Sequence, residues 1–150
     1  MNAAEGTPPM IVVGVDGSES SKRALRWAAD QAKLVGAELV VVTTWEYPPT
    51  LGWAPPYPSD FDPNEDARKA LTETVNGVLG PDPGVVVRLT VTEGHPAFVL
   101  TEAAQGADLL VVGSRGHGAF AGMLLGSVSE YCAAHASCPV VVVRHDEDKP

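Results

Sequence analysis

Cysteine is scarce in this sequence. Of 150 residues only Cys132 and Cys138 are cysteines, too few for a disulfide framework and suited to a reducing compartment. Basic residues are also few. Ten Lys and Arg stand against nineteen Asp and Glu, for a net charge of −9 and a pI of about 4.7. Nucleic acid and anionic membrane both require a basic patch that displaces counterions, so neither is expected as the main partner. No apolar run reaches the roughly 18 residues that a membrane-spanning helix needs. The opening residues MNAAEGTPP have neither the basic region nor the apolar core of a secretion signal, so a cytoplasmic location is expected.

What is present is alternation. The length suits one domain, spanning 1–150, with polar and frayed tails at 1–9 and 145–150. Short continuous apolar runs at Met10–Val15, Ala37–Trp45, Gly84–Val91, Asp108–Val112 and Pro139–Val143 read as strands covered on both faces. Helical patterns lie between them. Ser18 stands ready to cap the first, with Leu25, Ala28, Ala32 and Val35 on its inward face and Gly36 as its stop. Asp62 and Pro63 open the second, which turns Ala67, Leu71, Val75 and Val78 inward. Pro96 opens a short third helix that Gly106 closes, and 128–136 forms the last. Strands alternating with helices predict an α/β fold. An open five-stranded parallel sheet with helices on both faces, Rossmann-like in its winding, is expected, and the strand order adopted for it is 3-2-1-4-5.

In such a sheet, ligands sit beyond the carboxyl ends of the strands, where strand order reverses. Strand one ends in GVDGS (Gly14–Ser18) and strand four in GSRG (Gly113–Gly116), which face one crevice if the two strands are neighbours. The stretch from Gly113 to Ser127 holds five glycines and two serines. Gly113 and Gly116 lack a Cβ, so backbone amides can approach phosphate oxygens and the turn can take positive φ. Ser127 begins the last helix, whose first N–H groups and dipole favour an anion. Ser127 and Ser129 add hydroxyl donors, and Arg115 supplies a cation. Asp16 suits a ribose hydroxyl or a hydrated Mg2+ ion. Against each stands a plainer reading: Asp16 braces a turn, Ser127 caps a helix, Arg115 is a solvated charge, and the glycines serve an empty turn.

The GVDGS turn together with DLLVVGSRGHGAFAGMLLGSVS, in the spacing Gly113-x2-Gly116-x9-Gly126-Ser127, resembles the universal stress protein family. The likeness runs from about Ile11 to Arg144 and extends to the branch that binds ATP. It implies that Gly14, Val15 and Asp16 line the nucleoside, and that the end of strand two, at Val41, Val42 or Thr43, meets adenine. The loop residues Gly113, Ser114, Arg115, Gly116, His117 and Gly118, with Gly126, Ser127, Val128 and Ser129, would then hold the phosphates. The implied ligand is ATP, with AMP or ADP nearly as well bound, and Mg2+ as companion. Met123 stands where many relatives carry a basic residue, which weakens the grip on a triphosphate. The resemblance also implies a homodimer paired through 140–143, and a bare valine edge invites such pairing. The implied role is a nucleotide-sensing module that acts on a protein partner in a stress response. The alternative is a ligand-free dimeric scaffold.

Other chemistry is poorly represented. There is no G-x4-G-K-[ST] loop, and GHGAFA (116–121) lacks the downstream acid of a dinucleotide site. No base stands where it would activate a water, so binding is expected rather than turnover, with slow ATP hydrolysis at most. Cys132-x2-His135-x2-Cys138 has a metal-like spacing but no fourth ligand. The segment Trp45–Pro63, with six prolines and five aromatic residues, leaves the site edge of the sheet as a lid, a docking surface or a packed cover.

Overall fold

The computed structural model describes residues 7–47, 52, 57–115 and 125–144. Strand β1 spans Met10–Gly14 and leads into helix α1, Glu19–Val35. The Ser18 hydroxyl caps α1 by accepting the Ser21 N–H at 3.2 Å, and Glu19 in the first turn complements the helix dipole. Gly36 ends the helix at φ 71°. That left-handed turn lets the next amide, Ala37 N–H, reach back to the Ala32 carbonyl at 2.9 Å. Strand β2 follows at Glu38–Trp45, then α2 at Pro63–Leu79. The Asp62 carboxylate accepts the Glu65 N–H at 3.1 Å to start α2, with Pro63 at its first position. Strand β3 (Val87–Glu93), α3 (Pro96–Ala103), β4 (Leu109–Gly113), α4 (Ser127–His135) and β5 (Val140–Val143) complete the series.

The five strands form one parallel sheet, as the alternation of elements predicts, in the expected order β3-β2-β1-β4-β5. Because side chains alternate along a strand, each strand feeds two cores. Ile11, Val13, Leu39, Val41 and Val111 pack with Leu25 and Ala28 of α1 and Leu71 and Val75 of α2 on one face. Val12, Val42, Leu110 and Val112 pack with Leu100 of α3 and Cys132 of α4 on the other. Helices therefore cover both faces of the sheet.

Three local expectations are corrected. Val35, assigned to the inward face of α1, is 49% exposed. It is the last helical residue, beside the Gly36 turn, where the helix leaves the sheet and solvent reaches its side chain. Strand β3 begins later than Gly84 and runs on to Glu93, because β2 extends to Trp45 and pairs with it residue for residue. Finally, α4 is capped by Gly126 rather than by Ser127, which is already helical.

Candidate functional site

Strands β1 and β4 are neighbours, with Ile11 opposite Leu109 and Val13 opposite Val111. The chain winds from β1 toward β2 and β3 on one side, then crosses back to β4 and β5 on the other. The order reverses between β1 and β4, so their carboxyl ends flank the crevice where this fold receives ligands. One wall is the turn after β1. The Asp16 carboxylate accepts both the Ser18 N–H at 2.9 Å and the Ser18 hydroxyl at 2.6 Å. The Asp16 N–H is held by Ser21 Oγ at 3.2 Å. Asp16 thus braces its turn, as the plainer reading required, while its side chain stays exposed.

The other wall is the exit from β4. Gly113 is a glycine for a packing reason. A Cβ there would lie 2.5 Å from Ser20 Oγ and 2.8 Å from the Ser20 carbonyl carbon and oxygen, so the first turn of α1 approaches β4 too closely for any side chain. Its φ is not positive. Gly14 is similar but milder, since its Cβ position meets only the movable end of Leu100, at 2.7 Å.

Ser114 is fully buried and joins three elements. Its N–H donates to the Val143 carbonyl at 2.9 Å, and its carbonyl accepts the Gly126 N–H at 2.7 Å. The Ser129 hydroxyl donates to the Ser114 carbonyl at 3.2 Å and to the Gly126 carbonyl at 2.9 Å. The Ser114 backbone and the Ser129 hydroxyl thus tie the exit from β4 to β5 and to the start of α4.

What remains for a ligand is the helix start. Gly126 has no side chain to cap α4, Ser127 is exposed, and the first amide of the helical ladder is Glu130, which donates to the Gly126 carbonyl at 3.0 Å. The N–H groups of Ser127, Val128 and Ser129 precede that ladder, at the positive end of the dipole. Arg115 stands half-buried beside them on the chain leaving β4. Gly116, His117, Gly118 and Met123 lie outside the described residues.

At the end of β2 the structure is less accommodating. The Val42 side chain belongs to the core under α3, and its carbonyl accepts the Val15 N–H at 2.9 Å. Thr43 is half-buried opposite Val91. Beyond it, aromatic rings cluster: Trp45 meets Tyr47 edge-to-face at 5.1 Å, while Tyr47 stacks on Tyr57 at 5.2 Å and Tyr57 on Phe61 at 4.9 Å. The Trp45 indole N–H donates to Asn64 Oδ1 at 2.9 Å, tying this cluster to α2.

The metal-like spacing in α4 is divided between two environments. Cys132 is fully buried in the core, and burial pushes its thiol up to about 11, so it is protonated at neutral pH. His135 faces solvent and stacks on Tyr131 at 4.2 Å. Among the described residues no three His, Cys, Asp or Glu side chains converge on a common point, and no helix is long and apolar enough to cross a membrane.

Two buried residues of the site, Ser20 and Ser21, escape a reading by motif. Their signal is positional. Ser21 falls one turn before Leu25 on the buried stripe of α1, and polar residues inside an apolar stripe need partners.

A parallel sheet with helices on both faces whose strand order reverses between β1 and β4 places this domain in the broad doubly wound α/β class. Within that class the assignment is specific. The model of the universal stress protein family matches residues 10–144, and the chain belongs to that family. It is 39% identical over 143 residues to a universal stress protein of Mycolicibacterium smegmatis, covering 95% of this chain and 48% of that one. A universal stress protein of Mycobacterium tuberculosis is 38% identical over 143 residues, covering 92% and 44%. The chain thus spans about half the length of the curated relatives it matches. Among solved structures, a universal stress protein in complex with cAMP is 30% identical, with a TM-score of 0.68 over 93% of this chain and 98% of that one. One from Archaeoglobus fulgidus is 25% identical, with a TM-score of 0.66 over 91% and 94%.

Proposed function

We propose that the crevice between β1 and β4 binds ATP, and AMP or ADP by the same contacts. The phosphates would lie along the loop from Gly113 to Ser127, and the loaded protein would act on a protein partner in a stress response. One observation carries this reading: the α4 amides open beside Arg115, at the switch point, under a cap residue that has no side chain. A relative 30% identical was solved with an adenine nucleotide, cAMP, which supports the same ligand class here. Asp16 is the group on the opposite wall suited to a ribose hydroxyl or a hydrated Mg2+ ion.

Magnesium-ATP titrated calorimetrically into the full chain tests the reading. Gly126→Glu and Ser127→Glu are the variants. Ser127→Glu is the sharper one, because a carboxylate in the first turn suits the helix itself while it occupies the place of a phosphate. Binding in the wild type and a loss of at least about tenfold in a folded Ser127→Glu protein, roughly one charge-assisted hydrogen bond, is the expected result. A folded wild type that binds no nucleotide would sink the proposal. The scaffold reading would then lead, since Gly113, Ser114 and Ser129 already have structural reasons to be what they are.

The scaffold and sensor readings share an assembly. Strand β5 is a sheet edge of four half-buried valines, suited to pairing with the same strand of a second chain. Sedimentation at the titration concentration is expected to give twice the chain mass. A single-chain mass at tens of micromolar would rule the pairing out.

A further inference from the structure

The first turn of α1 carries two adjacent serines whose hydroxyls hold two different loops. Ser21 Oγ accepts the Asp16 N–H at 3.2 Å and donates to the Ser18 carbonyl at 3.0 Å, fixing the turn after β1. Ser20 Oγ accepts the Arg115 N–H at 3.3 Å and lies 3.5 Å from the Ser114 hydroxyl, fixing the exit from β4. Both serines are only 5% exposed. Successive helical residues point about 100° apart, so one helical turn reaches both walls of the crevice.

We propose that Ser20 is a positioning residue for the phosphate end of the site, setting the place of the Arg115 backbone beside the start of α4. This rests on the nucleotide reading given above. Position 20 has little freedom. Alanine would leave the Arg115 amide without this partner, and an unmade bond of a part-buried group is costly. A bulkier residue would have little room, because Ser20 is only 5% exposed and its Oγ already sits between the Arg115 N–H at 3.3 Å and the Ser114 hydroxyl at 3.5 Å. A small hydroxyl satisfies both demands. Ser20 itself touches no ligand in this scheme. It acts through Arg115, and Ser21 does the corresponding work for Asp16 on the nucleoside side.

The two roles can be separated by ligand. Wild type and Ser20→Ala are titrated with magnesium-ATP and with adenosine, which has no phosphate, and each protein is melted without ligand. Ser20→Ala is expected to weaken ATP about five- to tenfold, the loss of one hydrogen bond's positioning, and to change adenosine by less than about twofold. Equal losses for both ligands would show that the hydroxyl merely supports the fold, and would overturn the proposal. Unchanged ATP affinity in the variant would overturn it while leaving the nucleotide reading intact. Absence of ATP binding in the wild type would remove both. Should Ser20→Ala fail to fold, amide exchange in the ligand-free wild type decides. The Arg115 amide is expected to be protected at least about tenfold, and exchange at the random-coil rate would overturn the proposal.

Discussion

Replacing Gly113 with alanine is expected to destabilise the protein by about 1–3 kcal/mol, the range for forcing a methyl group into a packed site. In a domain of this size that corresponds to a fall of roughly 2–12 °C in melting temperature. The reason is local and geometric. The added carbon would stand 2.5 Å from Ser20 Oγ and 2.8 Å from two atoms of the Ser20 backbone. A side-chain oxygen can rotate away, but a backbone carbonyl inside a capped helix turn cannot. Either α1 lifts from β4 or the strand end shifts, and both disturb the wall that holds Arg115. Pairing Gly113→Ala with Ser20→Gly removes the hydroxyl clash and leaves the backbone clash, so only part of the stability should return. Thermal melts of Gly113→Ala, Ser20→Gly and the double variant check this. A Gly113→Ala protein that melts with the wild type would show that β4 and α1 are not as close as described.

Leu25→Ala has the larger expected effect, about 2–5 kcal/mol. Leu25 is fully buried at the centre of α1's inward face, in the cluster that joins α1 to β1, β2, β4 and α2. Removing its branched end leaves a cavity between α1 and the sheet, whose packed strands collapse little to fill it. Against a total stability of about 5–15 kcal/mol, this takes a large share. Leu34 serves as the control on the same helix. It is 81% exposed, so Leu34→Ala should fall within about 0.5 kcal/mol of wild type. Urea unfolding distinguishes them by a shift in midpoint at constant slope. Similar midpoints for the two variants would contradict the assignment of α1's inward face.

The Gly113–Ser127 stretch shows how one pattern can serve two demands. Glycine at 113 is required by the approach of α1, and Ser129 by the carbonyls of Ser114 and Gly126. Each of these would be needed in a protein of this fold without any ligand. Gly126 differs. Its φ of −72° is open to any residue, so backbone strain does not explain the glycine. Under the nucleotide reading proposed above, glycine there leaves no side chain over the start of α4, and variants at Gly126, Ser127 and Arg115 are the ones that would separate binder from scaffold.

Much of this protein was determined by its sequence alone. Apolar runs of five to nine residues, separated by capped helical patterns, leave few folds open, because strands covered on both faces need helices above and below. The right-handed crossover then limits the sheet orders without choosing among them, and the pairing of β1 with β4 is settled by the tertiary structure. Ser18, Asp62, Pro63 and Gly36 announce their helix ends because capping is local chemistry between residues a few positions apart. What the tertiary structure alone decided depends on residues far apart in the chain. Ser20 meets Gly113 and Arg115 across more than ninety positions, and Ser114 meets Val143 and Ser129 through the stacking of three elements. The exposure of Val35 depends on where the sheet stops beneath α1. Local periodicity records which face of a helix is apolar, but not what lies opposite a given turn. The functional weight of each glycine and serine depended on that second fact, since close approach and hydrogen bonding act over a few ångströms of space, however many residues of chain intervene.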